Sequence, residues 1–188
     1  DTLKQALSSP HLEGFKSKDI DVLLMTDPID AFWMSQMAQF NDKKFVSISR
    51  DTYDLSEVGS KETKKPKKSK AAKGTIELIK SHIEDLVADV VESTSLVDSP
   101  VRLVASEGGL DFNLERILKA QNSEYEGTKK VLEINTSHEL IKKLPKKSIE
   151  IQKALSRVLF EQARILDGEM PSDAQKFSED LITVSLND

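Results

Sequence analysis

Two spacings of apolar residues alternate along this chain, and they sort it into helices and strands. Ile76, Ile79, Ile83, Leu86 and Val87 recur every three or four positions. That spacing predicts a helix opening at Thr75 as N-cap, with Glu77 and Lys80 facing solvent. "DVVEST", "VRLVAS" and "KKVLEIN" are short and rich in β-branched residues, so they predict strands. The first two are joined through "SLVDSP", where Pro100 suits the start of a strand but not its centre. "GGLDFNLERILKAQN" predicts a helix after a Gly-Gly break, with Leu110, Leu114, Ile117 and Leu118 on one side and Asp111, Glu115 and Lys119 on the other. "TSHELIKKL" predicts a short helix capped by Thr136 or Ser137 and stopped before Pro145. Two longer helices follow. One shows Ile151, Leu155, Val158, Leu159, Gln162 and Leu166 on one face and stops at Gly168; the other shows Ala174, Phe177, Leu181 and Val184. The intervening "DGEMPS" is short, so the two should lie antiparallel.

Upstream the pattern is different. Val22 to Met25 is a brief apolar run ended by Thr-Asp-Pro, which reads as a buried strand. A helix follows from Asp27 to Phe40, with Asp27 as N-cap, Pro28 in the first turn and an apolar stripe of Ile29, Phe32, Trp33, Met37 and Phe40. "KFVSIS" then alternates like a strand. Strand, helix and strand make a βαβ unit with parallel strands. One such unit is too small to stand alone and reads as the end of an α/β domain that begins earlier. The absence of an initiating methionine also suggests a start inside a longer protein. Between the two regions, "SKETKKPKKSKAAKG" (Ser60–Gly74) holds seven lysines and no large apolar residue, and reads as a solvated linker. The fold class expected is α+β: a βαβ remnant, then a small mixed sheet with helices, ending in an antiparallel helix pair.

Composition narrows the chemistry. With a net charge of -5 and no aromatic interleaved among the linker lysines, the chain does not look like a nucleic-acid binder. It has no cysteine, so disulfides and thiolate chemistry are excluded. No apolar run is long enough to span a bilayer, and the N-terminus has no signal-peptide pattern. His11, His82 and His138 are scattered, with no second ligand at metal-binding spacing, so no metal is expected. Phosphate-binding, GxSxG and HExxH motifs are absent. Glu84-Asp85 and Glu179-Asp180 are helix neighbours that point apart and read as solvated charges. Catalysis by this stretch alone is not expected. The amphipathic helices remain, and each has two readings. The "LDFNLERIL" helix is either packed on its own sheet, the plainer reading of its residues, or offered to a partner.

Several collinear blocks carry a resemblance. "LLMTDPIDAFWM", "DSPVRLVAS", "NLERILKAQ", "VLEINTSHELIKKL" and "LFEQARILDGEMPSDAQKFSEDL" resemble the C-terminal part of the ninety-kilodalton heat-shock chaperone family in its bacterial form. The resemblance implies that residues 1–53 end a middle domain, 54–74 are a linker, and 75–188 are a dimerisation domain. It implies a homodimer whose last two helices join their counterparts in a four-helix bundle, with Leu155, Val158, Leu159, Leu166, Phe177, Leu181 and Ile182 as interface residues. It implies contact with non-native client proteins through Phe32 and Ser35, with Trp33 and Met34 beside them, and through Leu110, Leu114, Ile117 and Leu118. ATP and Mg would bind an N-terminal domain that is not in this chain, and the family's catalytic arginine would lie upstream of Asp1. No cofactor is expected here, and the location expected is cytoplasmic. The recruiting pentapeptide of eukaryotic cytosolic relatives is absent, since the chain ends "SLND". Two other readings stand beside this one: a dimerising adaptor without chaperone activity, and a remnant of an α/β enzyme.

Overall fold

A computed structural model describes residues 3–27, 29–30, 36–37, 39–49, 55, 70–106, 115, 118 and 127–186. Its centre is a three-stranded sheet of β3 (Asp89–Glu92), β4 (Val101–Val104) and β5 (Val131–Ile134), in the order β3-β5-β4. β5 runs parallel to β3 and antiparallel to β4. Val90, Leu132 and Leu103 stand level in this register, as do Ile134 and Val101, and all five are buried. They form the floor of the core. Its roof is α3 (Lys70–Ile83) and α5 (Ile149–Leu166), which contribute Ile79, Ile83, Leu155, Leu159, Phe160 and Ala163. The short α4 (Glu139–Lys143) and the 3-10 turn Leu144–Lys146 close one end with Ile141 and Leu144. The last helix, α6 (Ala174–Leu186), packs along α5. Mixed sheet and helices together make the fold α+β, as the spacing predicted.

Several boundaries differ from the sequence reading. α3 begins at Lys70, so Thr75 is a buried residue within the helix rather than its cap. Ala72 explains the earlier start: it is buried against the fold, so the helix extends upstream to place it there. The cap of α4 is His138, whose Nδ1 accepts the N–H of Leu140 at 3.2 Å, rather than Thr136 or Ser137.

The N-terminal region departs most. α1 (Leu3–Leu7), a 3-10 turn at Pro10–Leu12 and α2 (Glu13–Lys16) open the chain. Val22 to Met25 form no strand, and Leu23 is 74% exposed. The expected parallel pair is replaced by a two-residue antiparallel ladder, β1 (Gln39–Phe40) with β2 (Lys43–Lys44). Asn41 and Asp42 turn between them with φ of 47° and 62°, the left-handed pair that a tight hairpin demands and that these two residue types tolerate. The predicted helix therefore ends before Phe40. A parallel strand is stable only when both of its faces are covered, and Val22–Met25 has no such cover among the described residues. No described helix is long and apolar enough to cross a membrane.

Candidate functional site

The α5–α6 hairpin is the most elaborately built surface of the molecule. Ser148 caps α5 by accepting the N–H of Ile151. Gly168 ends it with a φ of 82°, so the chain reverses where a side chain would strain the backbone. Charged groups then fix the turn. Lys130 at the start of β5 donates to Glu169 Oε1 at 2.6 Å, Arg164 Nε donates to Glu169 Oε2 at 3.0 Å, and Arg164 also reaches Glu161. Glu161 in turn accepts the N–H and hydroxyl of Ser172 beyond the turn. The sequence reading had no basis for this chain of contacts, because its members lie on β5, α5 and the turn.

α6 lies on α5 through an inner face that is partly charged. Asp180 is 4% exposed and pairs with Arg157 at 3.4 Å and Lys176 at 3.2 Å, so it is not the solvated charge expected from the Glu179-Asp180 pair. Phe177, Val158 and Val184 are half-buried, and Val184 packs against the core. Ile165 and Leu166 on α5 and Leu181, Ile182 and Leu186 on α6 are exposed, Ile182 at 56%.

These positions separate the expected interface residues into three groups. Leu155 and Leu159 are inside the core of a single chain, at 5% and 0% exposure. Val158 and Phe177 are half-buried. Leu166, Leu181 and Ile182 face outward. Of the expected client-contact residues, only Leu118 lies among those described; it is helical and half-buried. Phe32, Trp33, Met34, Ser35, Leu110, Leu114 and Ile117 lie outside the described residues. Glu115, placed on the solvent side by its spacing, is buried and accepts the N–H of Thr128 at 2.6 Å. Glu115 therefore turns inward, against the side its spacing assigned.

A second contact ties the chain's beginning to the sheet and the hairpin. His11 Nε2 lies 3.4 Å from Asp167 Oδ1, both side chains almost fully buried, so the Pro10–Leu12 turn meets the end of α5. Glu13 Oε2 accepts the N–H groups of Val97, Asp98 and Ser99 at 2.9, 3.0 and 3.1 Å, and the Ser99 hydroxyl donates to Oε1. Gly14 fits tightly behind it, since a Cβ there would stand 2.7 Å from Ser95 O and 2.8 Å from Leu55 Cδ1. Burial pushes the Glu13 carboxyl up, but the Ser99 hydroxyl and the three N–H groups more than offset this and hold it below its ordinary value. The contribution is therefore present above the usual carboxylate range and lost as pH falls through the lowered value. Urea denaturation of wild type and Glu13→Gln at a series of pH values should show a stability gap that is full at neutral pH and closes in acid. A gap independent of pH would mean that the charge plays no part.

Among the described residues, no group of three or more His, Asp or Glu side chains is placed to hold a metal ion. The family profile described as "Hsp90 protein" matches residues 1–187. The Chaperone protein HtpG of Nitrobacter winogradskyi is 38% identical over 181 residues, which is 93% of this chain and 28% of that protein. That of Roseobacter denitrificans is 37% identical over 188 residues, 94% of this chain and 30% of that protein. That of Paramagnetospirillum magneticum is 37% identical over 195 residues, 98% and 31% respectively. The chain thus spans under a third of the length of the curated relatives it matches.

Proposed function

Because the chain belongs to the Hsp90 protein family, we propose that it is the homodimerisation and client-contact region of an ATP-dependent molecular chaperone. Residues 1–53 form the end of its middle domain, 54–74 a lysine-rich linker whose last residues, from Lys70, already belong to α3, and 75–188 the dimerisation domain. The observation that supports this most is the exposed apolar surface of the α5–α6 hairpin. Ile165, Leu166, Leu181, Ile182 and Leu186 are exposed on two packed helices of one chain, and a second copy pairing with this hairpin would take apolar area out of water. The result is a four-helix bundle of two hairpins. A stable pair of this kind buries ~1,200–2,000 Å² in all, and the apolar share must exceed an association cost of ~4–15 kcal/mol.

The pairing holds two chaperone arms together while nucleotide binds elsewhere. ATP and Mg belong to an N-terminal domain outside this chain, and this stretch is not itself an enzyme. Clients are non-native proteins that meet the apolar helices around Phe32–Ser35 and Leu110–Leu118 in the cytoplasm. Nucleic acid and membrane are not partners.

The test is Ile182→Glu. Light scattering coupled to gel filtration should read a dimer for wild type and a monomer for the variant, with circular dichroism unchanged, since Ile182 is exposed in one chain. A variant that stays dimeric would place the interface elsewhere. Wild type should also slow the aggregation of an unfolded protein without ATP. A dimer that fails to do so would favour an adaptor role.

A further inference from the structure

Residues 93–99 connect β3 to β4, and their shape is fixed from the sheet side. Ser93 Oγ accepts the N–H groups of Ser95 and Leu96 at 3.3 and 3.2 Å and donates to Glu133 at 2.8 Å. Asn135 Nδ2 donates to the carbonyls of Val97 and Ser99 at 3.1 and 3.3 Å. None of these bonds involves Glu13. The consecutive N–H groups of Val97, Asp98 and Ser99 nevertheless converge on one point, together with the Ser99 hydroxyl, and Glu13 occupies that point. Successive backbone N–H groups turned toward one anion form a nest, a concave anion receptor built from main chain alone.

We propose that residues 97–99 are a carboxylate-binding site in their own right. Glu13 is its resident ligand, and when Glu13 withdraws the site accepts another acidic side chain or a small monocarboxylate. The donors fit a two-oxygen anion, because the Ser99 hydroxyl meets Oε1, the Val97 and Asp98 N–H groups meet Oε2, and the Ser99 N–H is shared between the two. Asp98 adds negative charge beside the site, which disfavours a dianionic phosphate. The site is open to solvent, since Val97 is 51% exposed and Asp98 is exposed. The contact between the first helices and the sheet is therefore an exchangeable latch, with its receptor assembled before the latch closes. The inference does not depend on the chaperone reading.

The probe is formate, added to the full 188-residue chain carrying Glu13→Ala. The substitution should lower the melting temperature by ~3–8 °C. Sodium formate should restore part of that loss in a saturable way, beyond sodium chloride at equal ionic strength, and should shift the amide resonances of Val97, Asp98 and Ser99. Adding Ser99→Ala should weaken the formate effect. In wild type and Glu13→Gln the resident side chain blocks entry, so no formate-specific shift is expected. Inorganic phosphate should do less than formate. Should Glu13→Ala be unfolded in chloride, the same titration is read as formate-induced folding by circular dichroism. Equal effects of formate and chloride, or formate shifts confined to other amides, would overturn the proposal.

Discussion

Replacing Leu159 by Ala is expected to cost the chain ~2–5 kcal/mol of stability, while Ile182→Ala costs roughly 0.5 kcal/mol or less. Leu159 is fully buried between the sheet and α3, in the cluster that holds Ile79, Ile83, Leu103, Leu132 and Ile134. Removing its branched end takes apolar contacts from the middle of a packed core, and the neighbouring strands and helices cannot close the gap without moving backbone. Ile182 stands outside that core. Urea denaturation at a protein concentration low enough to keep the chain monomeric separates folding from association. Equal losses for the two variants would mean that α6 is as much a part of the core as α5. Leu159→Glu goes further and should abolish folding, because no cation stands at that position to pair with the new carboxylate. Ile182→Glu is therefore the cleaner probe of pairing: it charges an exposed position and leaves the protomer core intact.

That contrast shows what periodicity reveals and what it hides. The spacing of Leu155, Leu159, Leu181 and Val184 identified apolar stripes on two helices, and both helices are there. A stripe does not say which apolar face a neighbour of the same chain will cover. On α5 the sheet takes Leu155 and Leu159, and the exposed large apolar residues are Ile149 at its start and Ile165 and Leu166 at its end. On α6 the inner seam is held partly by the Asp180–Arg157 pair across the two helices, while Leu181 and Ile182 are exposed. The strands of the central sheet were legible because each is a compact β-branched run between turn residues. Their neighbours were not legible, because the order β3-β5-β4 depends on contacts distant in sequence. The same limit hid the His11–Asp167 contact and the Glu13 latch, since nothing local in "SPHLEG" indicates the loop it meets. Val22 to Met25 failed for the opposite reason. Its local signal is strong, but a strand also needs a sheet to join.

The buried pair of Arg102 and Glu133 is where a single change should have the other large effect. Alternation along β4 and β5 puts both on the face away from the core, where polar side chains normally meet water. Yet their side chains are 2% and 0% exposed, directly opposite each other in the antiparallel register. The Pro10–Leu12 turn lies against β4, and its own residues are buried there, so the chain's beginning helps to exclude water from this face. Arg102 Nε donates to Glu133 Oε2 at 2.8 Å, and Ser93 donates to the same oxygen. Glu133 Oε1 and Arg102 Nη1 find no hydrogen-bond partner among the described residues, so the pair is only partly compensated. Arg102→Met should therefore cost ~3–5 kcal/mol, because it leaves a carboxylate buried with a hydroxyl as its main partner. Arg102→Met with Glu133→Leu should recover most of that loss, since two apolar side chains on this dry face need no partners at all. A double-mutant cycle by urea denaturation reads the coupling directly. Losses that simply add would show that the two charges are solvated separately and that this face of the sheet is wet. Recovery would show that the ion pair is not what holds β4 to β5. The ladder and the apolar row of Val101, Leu103, Leu132 and Ile134 beneath it already set that register, because a slip of β4 by one residue would turn Val101 and Leu103 to the wrong face.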